Sequence, residues 1–297
     1  MIDQLLYYYG QYSSQILYSL FYFAFVAVIG LFLVLRRSSF FGLVLSQAAQ
    51  FSFFLGAALH WGSHEDAYSL VNKQTTSDFA HSLSHLDIFT FPVTFLVMTP
   101  LILAVTKGIR NSESILAAAL VFFAGLIPLM NAWLGGSDAI LVKAYFTEIL
   151  YTPVEHFSHY LLYTLAVLLV LLVFFRRFFL AGFDPTQAFL HGIYPRLTNI
   201  LFFYTAGVAL AIAVRILGVY VTMAAMLVPG LLALQLFKGL NSVVFSTVLF
   251  AIAFTLTGFT VSFLFDHLPA EPLLITSFCL FALLVASIAK LLQKLRS

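Results

Sequence analysis

RRSSFFGLVLSQAAQFS, residues 36–52, joins two apolar runs and decides how the chain is read. Arg36 and Arg37 end the first run, Gly42 follows, and the second run carries Ser46, Gln47 and Gln50 inside it. At helical spacing Gln47 and Gln50 share a face with Leu43, so a helix in hydrocarbon carries a narrow polar stripe. Polar groups in lipid are costly unless partnered, so the stripe is expected to face protein or an aqueous path.

The surrounding composition places that helix in a membrane. Of 297 residues, 62% are hydrophobic, 17% aromatic and 9% charged, and the mean hydropathy is +1.02. A soluble domain would carry about 25% charged residues. The net charge of +2, with no basic cluster, excludes a nucleic-acid partner. A single cysteine, Cys279, lies in an apolar run and rules out a disulfide framework or a thiolate metal site. The opening MIDQLLYYYGQYSSQ lacks the basic start and cleavage pattern of a signal peptide. Its tyrosines, Tyr7, Tyr8, Tyr9 and Tyr12, predict an interfacial belt ahead of the first span.

Runs able to cross about 30 Å of hydrocarbon fall near 14–35, 38–60, 88–107, 115–134, 157–181, 198–217, 243–265 and 272–292. A shorter run at 218–236 contains Pro229-Gly230 and reads as a ninth, broken or re-entrant element. The expectation is an all-α, polytopic membrane protein of eight or nine transmembrane helices, with residues 1–297 forming one domain. Of the 14 basic residues, only Lys73, Lys143 and Arg215 fall on one side once the connections at 36–37, 107–113, 176–196 and 238–242 are grouped with the C-terminus. The positive-inside rule then puts the N-terminus outside, the C-terminus inside and the longest polar connection, about 60–87, outside.

No phosphate-cradling G-x-x-x-x-G-K-[ST] loop and no H-E-x-x-H helix occurs in the sequence. If ATP drives this protein, another chain binds it. His60/His64 and His81/His85 are spaced i,i+4 and His156/His159 i,i+3, so each pair can share a helical face. One reading is a histidine-box oxidoreductase. A second is external metal capture at His60, His64, His81 and His85. The plainest is a rim of hydrated interfacial histidines.

FDPTQAFLHG, residues 183–192, has Asp184 as N-cap, Pro185 at the first helical position and Gln187 placed to close a capping box, with Gly192 as the stop. It fits either a plain connector or a surface helix that docks into a partner. Farther on, AVRILGVYVTMAAMLVPGLLA, residues 213–233, combines Arg215 with Gly218, Ala224, Ala225, Pro229 and Gly230. A charge and small, breakable positions together point towards a pathway wall.

Taken in order, these segments resemble the membrane permease of the zinc/manganese/iron ABC importer family. RRSSFFG with Leu45 to Ala48 is similar to that family's R-R-x-S-x-F-G-D-x-L-x-H-A block, and KAYFTEILYTPVEHF (143–157) to its Y-L-F-G-D stretch, with Thr147 and Glu148 where Gly-Asp is usual. FDPTQAFLHG resembles F-D-P-x-x-A-x-x-x-G, and RILGVYVTMAAMLVPGLLA resembles K-x-V-G-x-x-L-x-x-x-L-L-x-x-P-A-A. Phe265-Asp266 with Leu268-Pro269-Ala270 resembles a D-x-P-A-G turn in which Glu271 replaces glycine.

The resemblance implies the permease subunit of an importer in a bacterial-type cytoplasmic membrane. It implies a homodimer with a central path, a cytoplasmic ATPase subunit that binds ATP, and an extracytoplasmic solute-binding protein. No cofactor is bound by this chain itself; a divalent metal, zinc, manganese or iron, is the implied cargo. Ser46, Gln47, Gln50 and Arg215 would line the path. Glu148, Asp266, His267 and Glu271 would sit at the outer mouth or meet the binding protein. Asp184, Pro185, Ala188 and Gly192, within about 183–195, would dock the ATPase. The family's metal-binding Asp and His fall on Leu43 and Gln47. Leucine cannot ligate a metal and a neutral amide is a weak donor for zinc, so a same-fold permease for a chelate or organic solute is the alternative.

Overall fold

The computed structural model describes residues 2–61, 77–107, 112–134, 141–142, 145–147, 149–152, 154–265 and 269–296. Among these every regular element is a helix: α1 (Ile2–Gln11), α2 (Ser13–Leu35), α3 (Ser39–Trp61), α4 (Ser77–Thr106), α5 (Ser112–Trp133), α6 (Val154–Phe183), α7 (Pro185–Leu190), α8 (Pro195–Leu217), α9 (Val219–Leu236), α10 (Leu240–Leu264) and α11 (Ala270–Arg296). One 3-10 turn, Ile149–Tyr151, precedes α6. Apolar runs become helices here because a helix satisfies its own backbone where no water can. Among the described residues eight helices are long and apolar enough to cross a membrane, and Thr90–Thr106 within α4 is a shorter apolar stretch. The expected all-α, multi-pass architecture is thus observed.

The helices divide into inner and outer members. In α8, 72% of the span is buried against protein, whereas α5 and α6 bury 22% each and leave the rest of their apolar surface outward. Helix α2 packs on α9 and α10, and α3 lies against α4, α5, α8 and α9. Lipid tails are as apolar as leucine, so helices meet where backbones can approach, and small residues permit it. A Cβ at Gly30 of α2 would lie 1.8 Å from the Met226 carbonyl oxygen of α9. One turn along α9, Gly230 comes close to the Leu31 backbone, where a Cβ would sit 3.3 Å from Cα. The Met226 side chain then reaches Gly42 of α3, whose Cβ would meet its sulfur at 2.7 Å.

One sequence expectation is corrected. The 218–236 element is neither broken nor re-entrant: Pro229 lies inside a continuous helix. The chain breaks where the two expected runs meet, at Gly218, which ends α8 and begins α9 with φ +79°. There a Cβ would meet the Tyr145 carbonyl oxygen at 2.7 Å and the Thr147 nitrogen at 2.8 Å, so crowding and conformation both demand glycine. The N-terminus makes contacts beyond the expected belt. Its tyrosines form more than a belt: Tyr8 and Tyr12 stack on Phe263 of α10, and the Tyr9 hydroxyl pairs with Thr260 Oγ1 at 2.8 Å. An aromatic body with a polar tip is best satisfied by an apolar wall ending in an acceptor.

The α2–α3 corner also has a specific closure. Arg37 adopts φ +55°. Its N–H donates to the Val34 carbonyl and the Ser38 N–H to that of Leu33, both at 2.9 Å. This is the pairing of a Schellman stop, with arginine where glycine is usual.

Gly30→Ala should destabilise the protein by about 2 kcal/mol, because the added carbon meets backbone that no rotamer change can move. Gly125 has nothing within 4 Å of its Cβ position, so Gly125→Ala should be neutral or slightly stabilising. Thermal unfolding of both variants in detergent measures the difference, and equal effects would contradict the close α2–α9 approach.

Candidate translocation path and docking helix

The polar stripe of α3 lies inside the protomer. Ser46 is fully buried, and Gln47 and Gln50 are each 4% exposed. Ser46 returns its hydroxyl to the Gly42 carbonyl at 3.0 Å, a local solution to burial. The Gln47 Oε1 is buried and accepts no hydrogen bond. An unmatched amide oxygen in a closed interior is costly. Leu43, one turn earlier, is partly buried against the apolar core.

Phe53 lies one turn past Gln50 and leads to Arg215 of α8. The Arg215 guanidinium carbon is 5.0 Å from the Phe53 ring centre, 5.7 Å from that of Phe91 and 5.8 Å from that of Tyr160. Its Nη1 donates to the Tyr160 hydroxyl at 2.8 Å. Helices α3, α4, α6 and α8 therefore meet at one cation, which ring faces and a phenol stabilise inside the bundle. Tyr22 of α2 joins the wall, donating to the Phe157 carbonyl at 3.0 Å. Tyr160, Phe53 and Phe91 carry no motif that would single them out in sequence, because each is one aromatic among many.

Glu271, assigned to the outer mouth or to contact with the binding protein, keeps its carboxylate inside the protomer. It is 5% exposed, and Oε1 accepts the Ile149 backbone N–H at 2.9 Å. An acid in the first turn of α11 also faces the positive helix end. The close approach at Gly218 sets Tyr145 and Thr147 against the α8–α9 junction, and this clip ties Ile149 to α11. Glu148, Asp266, His267 and His64 lie outside the described residues, as do the side chains of His60, His81 and His85. Among the described residues no group of three or more His, Cys, Asp or Glu is arranged to hold a metal. A cavity of about 490 Å³ between α9 and α11 is lined by Phe146, Tyr220, Met223, Leu227, Val228 and Ile275, with Thr276 and Cys279 at its side. It offers no charged ligand.

At the other end of the bundle, α7 is a short helix closed at both ends. Asp184 Oδ1 accepts from the Thr186 and Gln187 N–H groups, each at 3.0 Å, and Pro185 occupies the first turn. The reciprocal half of the expected capping box does not form: the Asp184 N–H donates to the Leu180 carbonyl instead, continuing α6. Gly192 adopts φ +72°, and the Gly192 and Ile193 N–H groups return to the Phe189 and Ala188 carbonyls, each at 3.0 Å. Ala188 is fully buried against the bundle, while Phe189 and Leu190 are 64% and 79% exposed. Phe183, Tyr194 and Leu197 are also largely exposed. A helix closed at both ends thus holds bulky apolar side chains outward, with Arg176, Arg177 and Arg196 close by in the sequence.

A model of the ABC 3 transport family matches residues 11–290. Over 132 residues the chain is 29% identical to the "Probable iron transport system membrane protein" of Haemophilus influenzae, which covers 43% of this chain and 49% of that one. The chain thus spans about half the length of that curated relative. In structure it is similar to PsaBC from Streptococcus pneumoniae in complex with Fab, with TM-score 0.77 and 17% identity over 96% of this chain and 95% of that one. It is also similar to an inward-facing transporter described as of the metal-chelate ABC type, with TM-score 0.64 and 17% identity over 92% and 85%. At such identities the structural likenesses speak for the fold, and the family match supplies the rest: the chain belongs to the ABC 3 transport family, as a multi-pass membrane permease of the ABC type.

Proposed function

We propose that this chain is the permease subunit of an ABC importer that moves a divalent metal, zinc, manganese or iron, across a bacterial-type cytoplasmic membrane by alternating access. The observation that carries the reading is α7, a doubly closed helix that presents Phe189 and Leu190 outward. Exposed aromatic and aliphatic anchors on a rigid helix suit a groove in a partner protein. That partner is the ATPase subunit, which binds ATP, so this chain is a transport subunit and no enzyme. Asp184, Pro185, Ala188 and Gly192 shape the docking helix rather than touching the partner first.

The basic residues near α7 put this end in the cytoplasm, with the N-terminus outside and the C-terminus inside. A solute-binding protein delivers cargo at the opposite end, and two copies of this chain enclose the path. Ser46, Gln47, Gln50 and Arg215 belong to its wall, with the unmatched Gln47 oxygen as the acceptor that a passing solute engages. Glu148, Asp266, His267 and the histidines His60, His64, His81 and His85 remain candidates for the outer face. The name of the iron-transport relative supports a metal. A second reading, transport of a metal chelate or small organic solute, is favoured by the neutral Gln47 and apolar Leu43, and by the metal-chelate description of one structural neighbour. A histidine-box oxidoreductase has no observation in its favour.

Affinity purification of this chain co-expressed with its ATPase should recover both. Asp184→Lys or Gly192→Trp should abolish recovery of the ATPase while leaving the permease monodisperse. Failure of the unsubstituted pair to associate would sink the importer reading. Vesicles holding the full complex and offered Zn²⁺, Mn²⁺ and Fe²⁺ in turn should take up at least one in an ATP-dependent manner, and uptake of none would leave only the chelate or organic reading. Gln47→Met replaces the unmatched amide by an apolar isostere, so it should raise stability by about 1 kcal/mol while reducing uptake. Reversible denaturation in detergent measures the first effect, and a loss of stability would show that the amide is a satisfied structural group.

A further inference from the structure

Arg36 follows the last turn of α2, yet its side chain turns into the protein. Nη1 donates to Asn199 Oδ1 on α8, and Nη2 donates to the Phe178 carbonyl on α6. The guanidinium carbon lies 3.8 Å from the centre of the Phe202 ring, also on α8. Gly182 leaves the space the side chain runs through, since a Cβ there would sit 2.8 Å from both Arg36 Cγ and Nε. Arg37 next to it remains exposed and serves as the plain interfacial charge.

The partners of Arg36 fall on both sides of α7. Phe178 and Gly182 belong to the end of α6, directly before Asp184, and Asn199 and Phe202 belong to the start of α8, directly after the Gly192 stop. Helix α7 packs on these same two helices. On its other side Arg36 is joined through Arg37 and Ser38 to α3, which carries Ser46, Gln47 and Gln50. One planar fork therefore holds the two helix ends that frame α7 against the α2–α3 corner.

We propose that Arg36 is a positioning residue that couples movement of the docking helix α7 to the α2–α3 hairpin and its polar stripe. The proposal rests on the reading of α7 as the ATPase-docking element. A forked, planar guanidinium suits this role because it fixes direction with two hydrogen bonds and a ring face, where the single ammonium of lysine fixes only a point. A shift of the α6 and α8 ends that frame α7 is then transmitted to α3 as a rigid displacement, and with the fork cut α7 moves without it.

The test uses the full complex in proteoliposomes, with ATP hydrolysis and uptake of Mn²⁺, Zn²⁺ and Fe²⁺ measured side by side. Arg36→Gln should keep the ATPase bound and its hydrolysis within about twofold, while metal moved per ATP falls about tenfold, the size of a typical coupling between sites. Asn199→Ala should lower the same ratio in the same direction, and the double variant should be no worse than Arg36→Gln alone, as members of one unit behave. Arg36→Lys should recover part of the ratio. If none of the metals is carried, stimulation of hydrolysis by the solute-binding protein replaces uptake, and it should be lost while basal hydrolysis persists. An unchanged ratio, or uptake and hydrolysis falling in equal proportion, would overturn the proposal. Should Arg36→Gln fail to accumulate, Asn199→Ala alone decides. Absence of any bound ATPase in the unsubstituted complex would instead overturn the importer reading itself.

Discussion

The carbonyl oxygen of Met226 occupies the place where a side chain at residue 30 would begin, 1.8 Å from that Cβ position, and the bundle is arranged around this contact. Between apolar helices in lipid there is no hydrophobic gain from association, so packing density and close backbone approach must hold them. Gly30 and Gly230 bring α2 and α9 together, and Met226 then fills the space that Gly42 leaves in α3. The inner helices are set by that triad, and α5 and α6 wrap outside them with most of their surface outward. A single carbon at Gly30 therefore acts on three helices at once.

Inside this frame the polar groups follow two different rules. Most find a partner locally, as Ser46 and Ser52 do by bonding the carbonyl four residues back. Others reach across helices: Arg215 to Tyr160, Glu271 to Ile149, Arg36 to Asn199 and Phe178. Each long-range contact joins elements far apart in the chain, and each places a charged side chain at least partly inside the bundle. Gln47 obeys neither rule, with an oxygen that accepts nothing. Arg36 Nε is likewise buried without a hydrogen-bond partner.

Much of the architecture was legible in the residues. Apolar runs separated by Arg36-Arg37, Lys107 and Arg176-Arg177 define the spans, since length and charge alone decide what can enter lipid. The closure of α7 was legible too, because Asp-Pro and a terminal glycine act through their own backbone. The boundary between α8 and α9 falls at Gly218, where the runs 198–217 and 218–236 meet, while the break expected inside the second run at Pro229-Gly230 does not occur. A proline announces itself in sequence, whereas the crowding at Gly218 comes from Tyr145 and Thr147, far earlier in the chain. The acceptor role of Glu271 is hidden from the sequence for the same reason, since it depends on a turn elsewhere in the chain.

What the sequence determined by itself was therefore what short-range physics controls: membrane residence, the all-helical class, the capped α7 and the polar content of α3. What only the tertiary structure decided was orientation within the bundle. It turned Glu271 inward, enclosed Gln47 and Gln50, assembled three aromatic rings around Arg215 and aimed Arg36 at both helices that frame α7. Those outcomes depend on which faces meet across long chain separations, and helices of nearly uniform apolarity carry little periodic signal to say which face that will be.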